Sequence, residues 1–212
     1  MSRVYFHSDW HFNHDFVAQT RGYDSAEDHD EALIERINSR VTKRDHIYVL
    51  GDVFMGSVSA GLAQVARVNG VKHLILGNHD AAHPMHRKSA AHTRRFLEVF
   101  DSVTLHDEVR LPGGRKVLLS HFPYEGDHHE RERHRQWRLR DEGSWLIHGH
   151  VHAQWSVRGR QVNVGVDKWP FPAEASVMAA MIDGLDAVGG GPLNAPPPAP
   201  QRWYTGVPEG AL

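Results

Sequence analysis

Side chains that bind metals or carry protons recur at one kind of place in this chain, directly after a short apolar run. Asp9 and His11 follow residues 4–7, and Asp52 follows 46–50. Asn78, His79 and Asp80 follow 71–76, His121 follows 116–120, and His150 and His152 follow 145–148. Glycine stands at three of these junctions, as Gly51, Gly77 and Gly149. An apolar run that stops and then presents polar groups is how an α/β fold builds a site outside the carboxyl ends of its strands. Taken alone, Leu-Ile-Leu-Gly-Asn-His-Asp at 74–80 reads better as a polar turn after a strand; the repetition at five junctions decides for a site. The chain has 18 histidines and no cysteine. Carboxylate, imidazole and carboxamide donors without sulfur suit divalent cations of hard or borderline character. A carboxylate bridging two cations roughly 3.5–4 Å apart is the arrangement of two-metal hydrolases.

The elements that must position these groups follow from periodicity. Residues 4–7, 46–50 and 71–76 read as buried strands. Apolar Ala32, Leu33, Ile34 and Ile37 recur at helical spacing after Asp24 and Ser25, which offer an N-cap, so a helix is expected over about 27–40. Leu62, Val65, Ala66 and Val68 give a second helix closed by Asn69-Gly70. One or two helices are expected within 83–100. Short strands at 103–105 and 108–111 lead through the turn Pro112-Gly113-Gly114-Arg115 into a return strand, 116–120. Residues 125–142 are dense in charge and read as a solvated helix or a cap over the site. A strand at 145–148, a hairpin around Arg158-Gly159-Arg160 and a last strand at 176–182 complete the domain.

Length and composition bound the function. The chain has 212 residues, which fits one domain with ample length for a core, and a formal net charge of -2, too small to draw it to nucleic acid or a membrane surface. Without cysteine there is no disulfide, thiolate zinc site or thiol nucleophile, which fits a cytoplasmic protein. No run approaches the ~18 apolar residues of a membrane span. From residue 187 glycine and proline dominate, so the division is a domain at 1–186 and a tail at 187–212, on which Trp203 and Tyr204 are the candidate anchors.

Asp9-Trp10-His11, Gly51-Asp52, Gly77-Asn78-His79-Asp80, His121 and Gly149-His150-Val151-His152 together resemble the five blocks of the calcineurin-like metallophosphoesterases, in the family's order. Ser8 to His14, an arginine at 21 and the helix at 30–34 resemble a small single-domain bacterial and phage branch. The resemblance implies an α/β fold, a four-layer α-β-β-α sandwich of two mixed sheets flanked by helices. It implies that Asp9, His11 and His152 hold one metal, that Asn78, His121 and His150 hold another, and that Asp52 bridges both. His79 would stand unliganded as general acid. Manganese is the favoured identity for the two divalent ions, with iron, zinc, nickel and cobalt also compatible. One departure is Met55, where many family members have an aspartate supporting the acid histidine; Asp80 is a candidate for that work.

The implied function is a dinuclear phosphoesterase in which a metal-bridged hydroxide attacks phosphorus. A phosphodiesterase on small or cyclic nucleotides, such as a 2′,3′-cyclic nucleotide, is favoured; the alternatives are a phosphomonoesterase, a nuclease or a non-catalytic metal-binding scaffold. The partner is therefore a small phosphoester, with nucleic acid not favoured and oligomeric state unread. Other polar residues keep two readings each. His14 touches substrate phosphate or is a surface group, and Arg21 is a phosphate clamp or a loop arginine. His7 and His148 are core or ligand-supporting groups, and Trp10 packs on a neighbouring strand. His128, His129 and His134 are expected to be solvated, and Arg87, Lys88, Arg94 and Arg95 to form a solvated face.

Overall fold

The computed structural model describes residues 2–189. Two five-stranded mixed sheets carry the chain, flanked by helices. The first has the order β10-β1-β2-β3-β4, built from β1 (Val4–His7), β2 (His46–Val49), β3 (Val71–Ile75), β4 (Ser102–Thr104) and the short β10 (Ala173–Glu174). β1 to β4 run parallel, and β10 closes the edge antiparallel to β1. The second has the order β5-β6-β7-β9-β8, from β5 (His106–Arg110), β6 (Lys116–Ser120), β7 (Leu146–His148), β8 (Val157–Arg158) and β9 (Gln161–Asn163). The hairpin expected around Gly159 is β8–β9, with Val157 opposite Val162.

Alternation along the strands divides the apolar residues between two cores. Tyr5, Ile47, Val49 and Leu74 face the helices α2 (Ala26–Asn38) and α3 (Val58–Ala66), packing with Leu33, Ile37, Leu62 and Val65. Phe6, Leu50 and Ile75 point the other way, to Leu119, Ile147 and Val162 of the second sheet. Each fully buried aliphatic side chain here contributes roughly 1.5–3 kcal/mol. Ser25 caps α2 by accepting the Asp28 N–H at 3.1 Å.

Residues 176–182, expected as a strand, lie instead in the helix α5 (Ala175–Ala187). Ala175, Met178, Ala179, Met181 and Ile182 are its buried residues, on one face at helical spacing, and they join the inter-sheet core. The run Ser-Val-Met-Ala-Ala-Met-Ile carries both patterns at once, and its alanines and methionines favour the helix. The helix also continues through Ala187, one residue past the expected boundary. From residue 190 the expected tail, with Trp203 and Tyr204, lies outside the described residues. A short helix, α1 (Asp15–Thr20), was not expected. α4 (Ser89–Phe96) is the one regular helix within 83–100. The charged stretch 125–142 contains only a single 3₁₀ turn, Arg135–Trp137.

Candidate metal centre

The loops leaving β1, β2, β3, β6 and β7 meet where the two sheets touch, at the bridge between Ser8 and Gly165. Backbone bonds lock the loops side by side: Asp9 N–H donates to Gly51 O and His11 N–H to Asp52 O, each at 3.0 Å, and Gly149 N–H to His121 O at 3.1 Å. The backbone is strained where it aims side chains inward. Asp9 (φ 58°), His11 (50°), Asp52 (53°), His150 (72°) and His152 (47°) are all left-handed. Such a conformation costs a non-glycine residue roughly 1–3 kcal/mol and persists only where the surroundings impose it. A Cβ on Gly149 would overlap Ser8 Oγ and Asp9 Oδ2, and one on Gly77 would overlap Asp52 Oδ1. Both glycines are therefore needed for close approach.

Asp52 is the hub. Its Oδ2 lies 3.4 Å from His121 Nε2 and 3.9 Å from both His11 Nε2 and His79 Nε2. Asn78 Oδ1 lies 3.2 Å from His121 Nε2. The ligand atoms of Asp9, His11 and His152 fall within 4.8 Å of one another, and so do those of Asp9, Asp52 and His121. The His11 and His152 rings stack at 5.1 Å.

Neighbouring groups set which ring nitrogen remains free. His121 Nδ1 donates to Leu50 O at 2.7 Å, leaving Nε2 toward Asp52. His152 Nδ1 donates to Asp167 Oδ2 at 2.9 Å, leaving Nε2. His150 Nε2 donates to Asp127 Oδ2 at 3.2 Å, leaving Nδ1. His150 Nδ1 and both nitrogens of His11 are buried without a hydrogen-bond partner. A buried polar atom with no partner costs roughly 1–3 kcal/mol, and a cation removes that cost. Oxygen donors, imidazoles fixed by outer partners and orphaned nitrogens together fit a pair of divalent ions.

The electrostatics differ between the donors: His11 and His150 are held neutral, whereas Asp52 raises His121, whose proton a cation would have to displace. Burial raises the Asp9 pKa, offset in part by His152 and His121. Asp52 is also buried, yet the His121 charge and hydrogen bond hold it well below the carboxylate range. Burial works against His121, and Asp52 outweighs it, lifting the imidazole to about 9. Burial drives His11 well below its ordinary value and His150 to about 3, keeping both imidazoles neutral, as metal ligands must be.

The remaining candidates separate. His79 sits at the open side, its side chain 41% exposed, while its N–H donates to Asp52 Oδ1 at 2.8 Å. His14 flanks the same opening, 5.6 Å from the His11 ring. Asp80 is fully buried and accepts the N–H groups of Gly77, Asp52 and Val53 at 2.7–3.0 Å. It shapes the β2 and β3 loops through the backbone, so its oxygens are not spent on the His79 ring. Arg21 spends all five donors inside the protein: on Asp167 (2.8 and 2.9 Å), on the carbonyls of Asp9 and Trp10, and on His29. Neither reading of Arg21 survives: it is not free to clamp phosphate, and it is not a surface arginine. Trp10 is buried and donates to His7 Nδ1 at 3.0 Å, and His7 Nε2 donates to Trp169 O.

Sequence reasoning missed Asp167 and Asp127, which orient His152 and His150. Asp167 had a readable signal, because Asn163-Val164-Gly165-Val166-Asp167 is a sixth strand end with glycine and aspartate. Asp127 had none, as one carboxylate in a charged run. The expectation that His128 and His134 are solvated is corrected. His128 Nδ1 donates to His150 O at 2.9 Å, and the His134 ring lies 5.7 Å from that of His150. His129 is exposed as expected.

Comparison with known proteins identifies the family. The family model of the calcineurin-like phosphoesterase superfamily domain matches residues 3–183. The chain is 40% identical over 183 residues to the Gene 66 protein of Mycobacterium phage L5, covering 80% of this chain and 88% of the phage protein. It is 42% identical over 180 residues to the Gene 66 protein of Mycobacterium phage D29, covering 80% and 90%. A crystal structure of AQ665 from Aquifex aeolicus, a protein of unknown function, superimposes with a TM-score of 0.64 at 23% identity, covering 86% of this chain and 100% of that one. The chain belongs to the calcineurin-like phosphoesterase superfamily. Among the described residues no helix is long and apolar enough to cross a membrane.

Proposed function

We propose that this chain is a dinuclear metal-dependent phosphodiesterase acting on small nucleotide diesters, a 2′,3′-cyclic nucleotide being the first candidate. The observation that carries the reading is the position of Asp52 Oδ2, within 3.4–3.9 Å of nitrogens from His11, His79 and His121. Asp9, His11 and His152 would hold one cation, Asn78, His121 and His150 the other, and Asp52 would join them. When bound, the cations acidify water and neutralise charge on the phosphoryl oxygens.

The protein's own groups do the rest. Asp127, Asp167 and the Leu50 carbonyl hold three imidazoles in one tautomer. His79, exposed and next to Asp52, supplies a proton to the leaving oxygen as the phosphorus–oxygen bond breaks, a contribution of roughly 10²–10⁴-fold. Two features favour a diester. Arg21 is committed within the protein, so it adds no charge to meet a dianionic monoester. Phe16 is 69% exposed, and its ring lies 6.4 Å from that of His14 at the rim, an apolar face of the kind on which a base stacks.

The test supplies metal-stripped protein with manganese and compares bis-p-nitrophenyl phosphate with p-nitrophenyl phosphate. Faster turnover of the diester is expected, followed by hydrolysis of 2′,3′-cyclic nucleotides. Faster turnover of the monoester moves the reading to a phosphatase. Cleavage of polynucleotides alone moves it to a nuclease. Bound metal without hydrolysis of any phosphoester leaves a scaffold.

A further inference from the structure

We infer that Asp127 is a positioning residue for the His150 half of the metal centre, and that through it cation binding orders the charged segment 125–142. This rests on the two-cation reading above. The Asp127 side chain is fully buried in a segment otherwise rich in exposed charge. Its Oδ2 accepts from His150 Nε2 at 3.2 Å and from the Arg133 N–H at 3.1 Å. Its Oδ1 accepts from Arg133 Nη2 at 3.0 Å and from the His129 N–H at 3.2 Å. Arg138 Nη2 lies 3.5 Å from Oδ2, and Arg138 closes the segment on itself by donating from Nη1 to Gly126 O and from Nη2 to Arg133 O. The segment seats residue 150 a second time, where His128 Nδ1 donates to its carbonyl.

Asp127, His128 and His150 also place three ligand atoms within 4.8 Å of one another. They do not make a third cation site. Two guanidinium groups already face this carboxylate, and His150 Nε2 must keep its proton to donate. The arrangement repeats what Asp167 and Arg21 do for His152, with one difference. Asp167 follows β9 and the sheet holds it in place, whereas Asp127 belongs to a segment with little regular structure. A cation on His150 Nδ1 fixes the tautomer that donates to Asp127. Asp127 in turn favours the cation, because the coupling is reciprocal. Loss of such an outer carboxylate weakens metal binding by roughly 10–100-fold.

The test titrates the metal-stripped full chain with cobalt(II), reading visible absorption and ion stoichiometry by native mass spectrometry. The native chain is expected to take two ions. Asp127→Asn should keep one and bind the other roughly 10–100-fold more weakly, with partial rescue in Asp127→Glu. Trypsin provides a second readout at the exposed Arg131, Arg135 and Arg140. Cobalt should slow cleavage there in the native chain and not in Asp127→Asn. If circular dichroism shows that Asp127→Asn does not fold, Arg133→Gln decides, with a smaller weakening of the same ion expected. Two ions bound with native affinity in the variant, or cleavage indifferent to cobalt in the native chain, overturns the inference alone. A native chain that binds fewer than two ions overturns the two-cation reading and this inference with it.

Discussion

His79 and His150 are separated by what their ring nitrogens face. His150 Nδ1 is buried and unpartnered, whereas His79 opens to solvent. Replacing His150 or Asn78 by alanine should remove one ion from the protein and abolish turnover. His79→Ala should keep both ions, with kcat falling roughly 10²–10⁴-fold. Metal analysis alongside kinetics checks this, and loss of an ion in His79→Ala would show that its role is misassigned. At this scale the sequence was legible wherever a residue followed an apolar run directly, which is why Asp9, Asp52, His121, His150 and His152 could be named from order alone. Arg21 could not be resolved that way, because its partner Asp167 is 146 residues away. Asp127 belongs to the same class: the contact that gives it meaning is made in space.

Elements were legible where a single period dominated. α2 shows one apolar face and a Ser25 cap, and its observed bounds differ from the expected ones by one or two residues. Where two periods overlap, as at 176–182, burial decides, and Met178 and Ile182 enter the inter-sheet core only as a helix does. The junctions between strand and loop are the least forgiving places. At Gly149 the backbone passes against Ser8 and Asp9, so Gly149→Ala pushes the β7 loop off the β1 loop. Overpacking of this kind typically costs about 1–3 kcal/mol. The expected result is a lower urea midpoint together with weakened binding of both ions, since Asp9 and His150 move apart. A variant of native stability that binds both ions normally would mean that the two loops are not in contact.

For the whole molecule, proton and cation equilibria act on one folded state. His83 is buried, with Trp137 edge-on at 4.7 Å and Nε2 unpaired. Burial lowers its pKa from 6.5 to about 4, helped by the neighbouring His121 and His86. Above pH 6.5 both folded and unfolded chains hold it neutral and stability is full. Between 6.5 and 4 the unfolded chain takes up a proton that the fold refuses, so stability falls, by about 2 kcal/mol at pH 5. His83→Leu should remove that part of the difference between urea unfolding at pH 7.5 and at pH 5, and an unchanged difference would refute the assignment.

Cations act in the opposite direction and across both sheets. Asp9 and Asp52 come from the first sheet, and His121, His150 and His152 from the second. The folded centre places buried carboxylates beside imidazoles, a set that the unfolded chain does not assemble. Ligands that bind only the folded state stabilise it by about 2.7 kcal/mol at a hundredfold excess over Kd. For a domain of this size each kcal/mol moves Tm by roughly 2–4 °C. Manganese should therefore raise Tm by about 5–10 °C over chelated protein, with the shift growing logarithmically with concentration. His150→Ala should keep part of that shift and Asp52→Asn little of it, because Asp52 faces both halves of the centre. A Tm that ignores manganese, in protein that still hydrolyses a phosphodiester under chelation, would remove the metal centre from the function altogether.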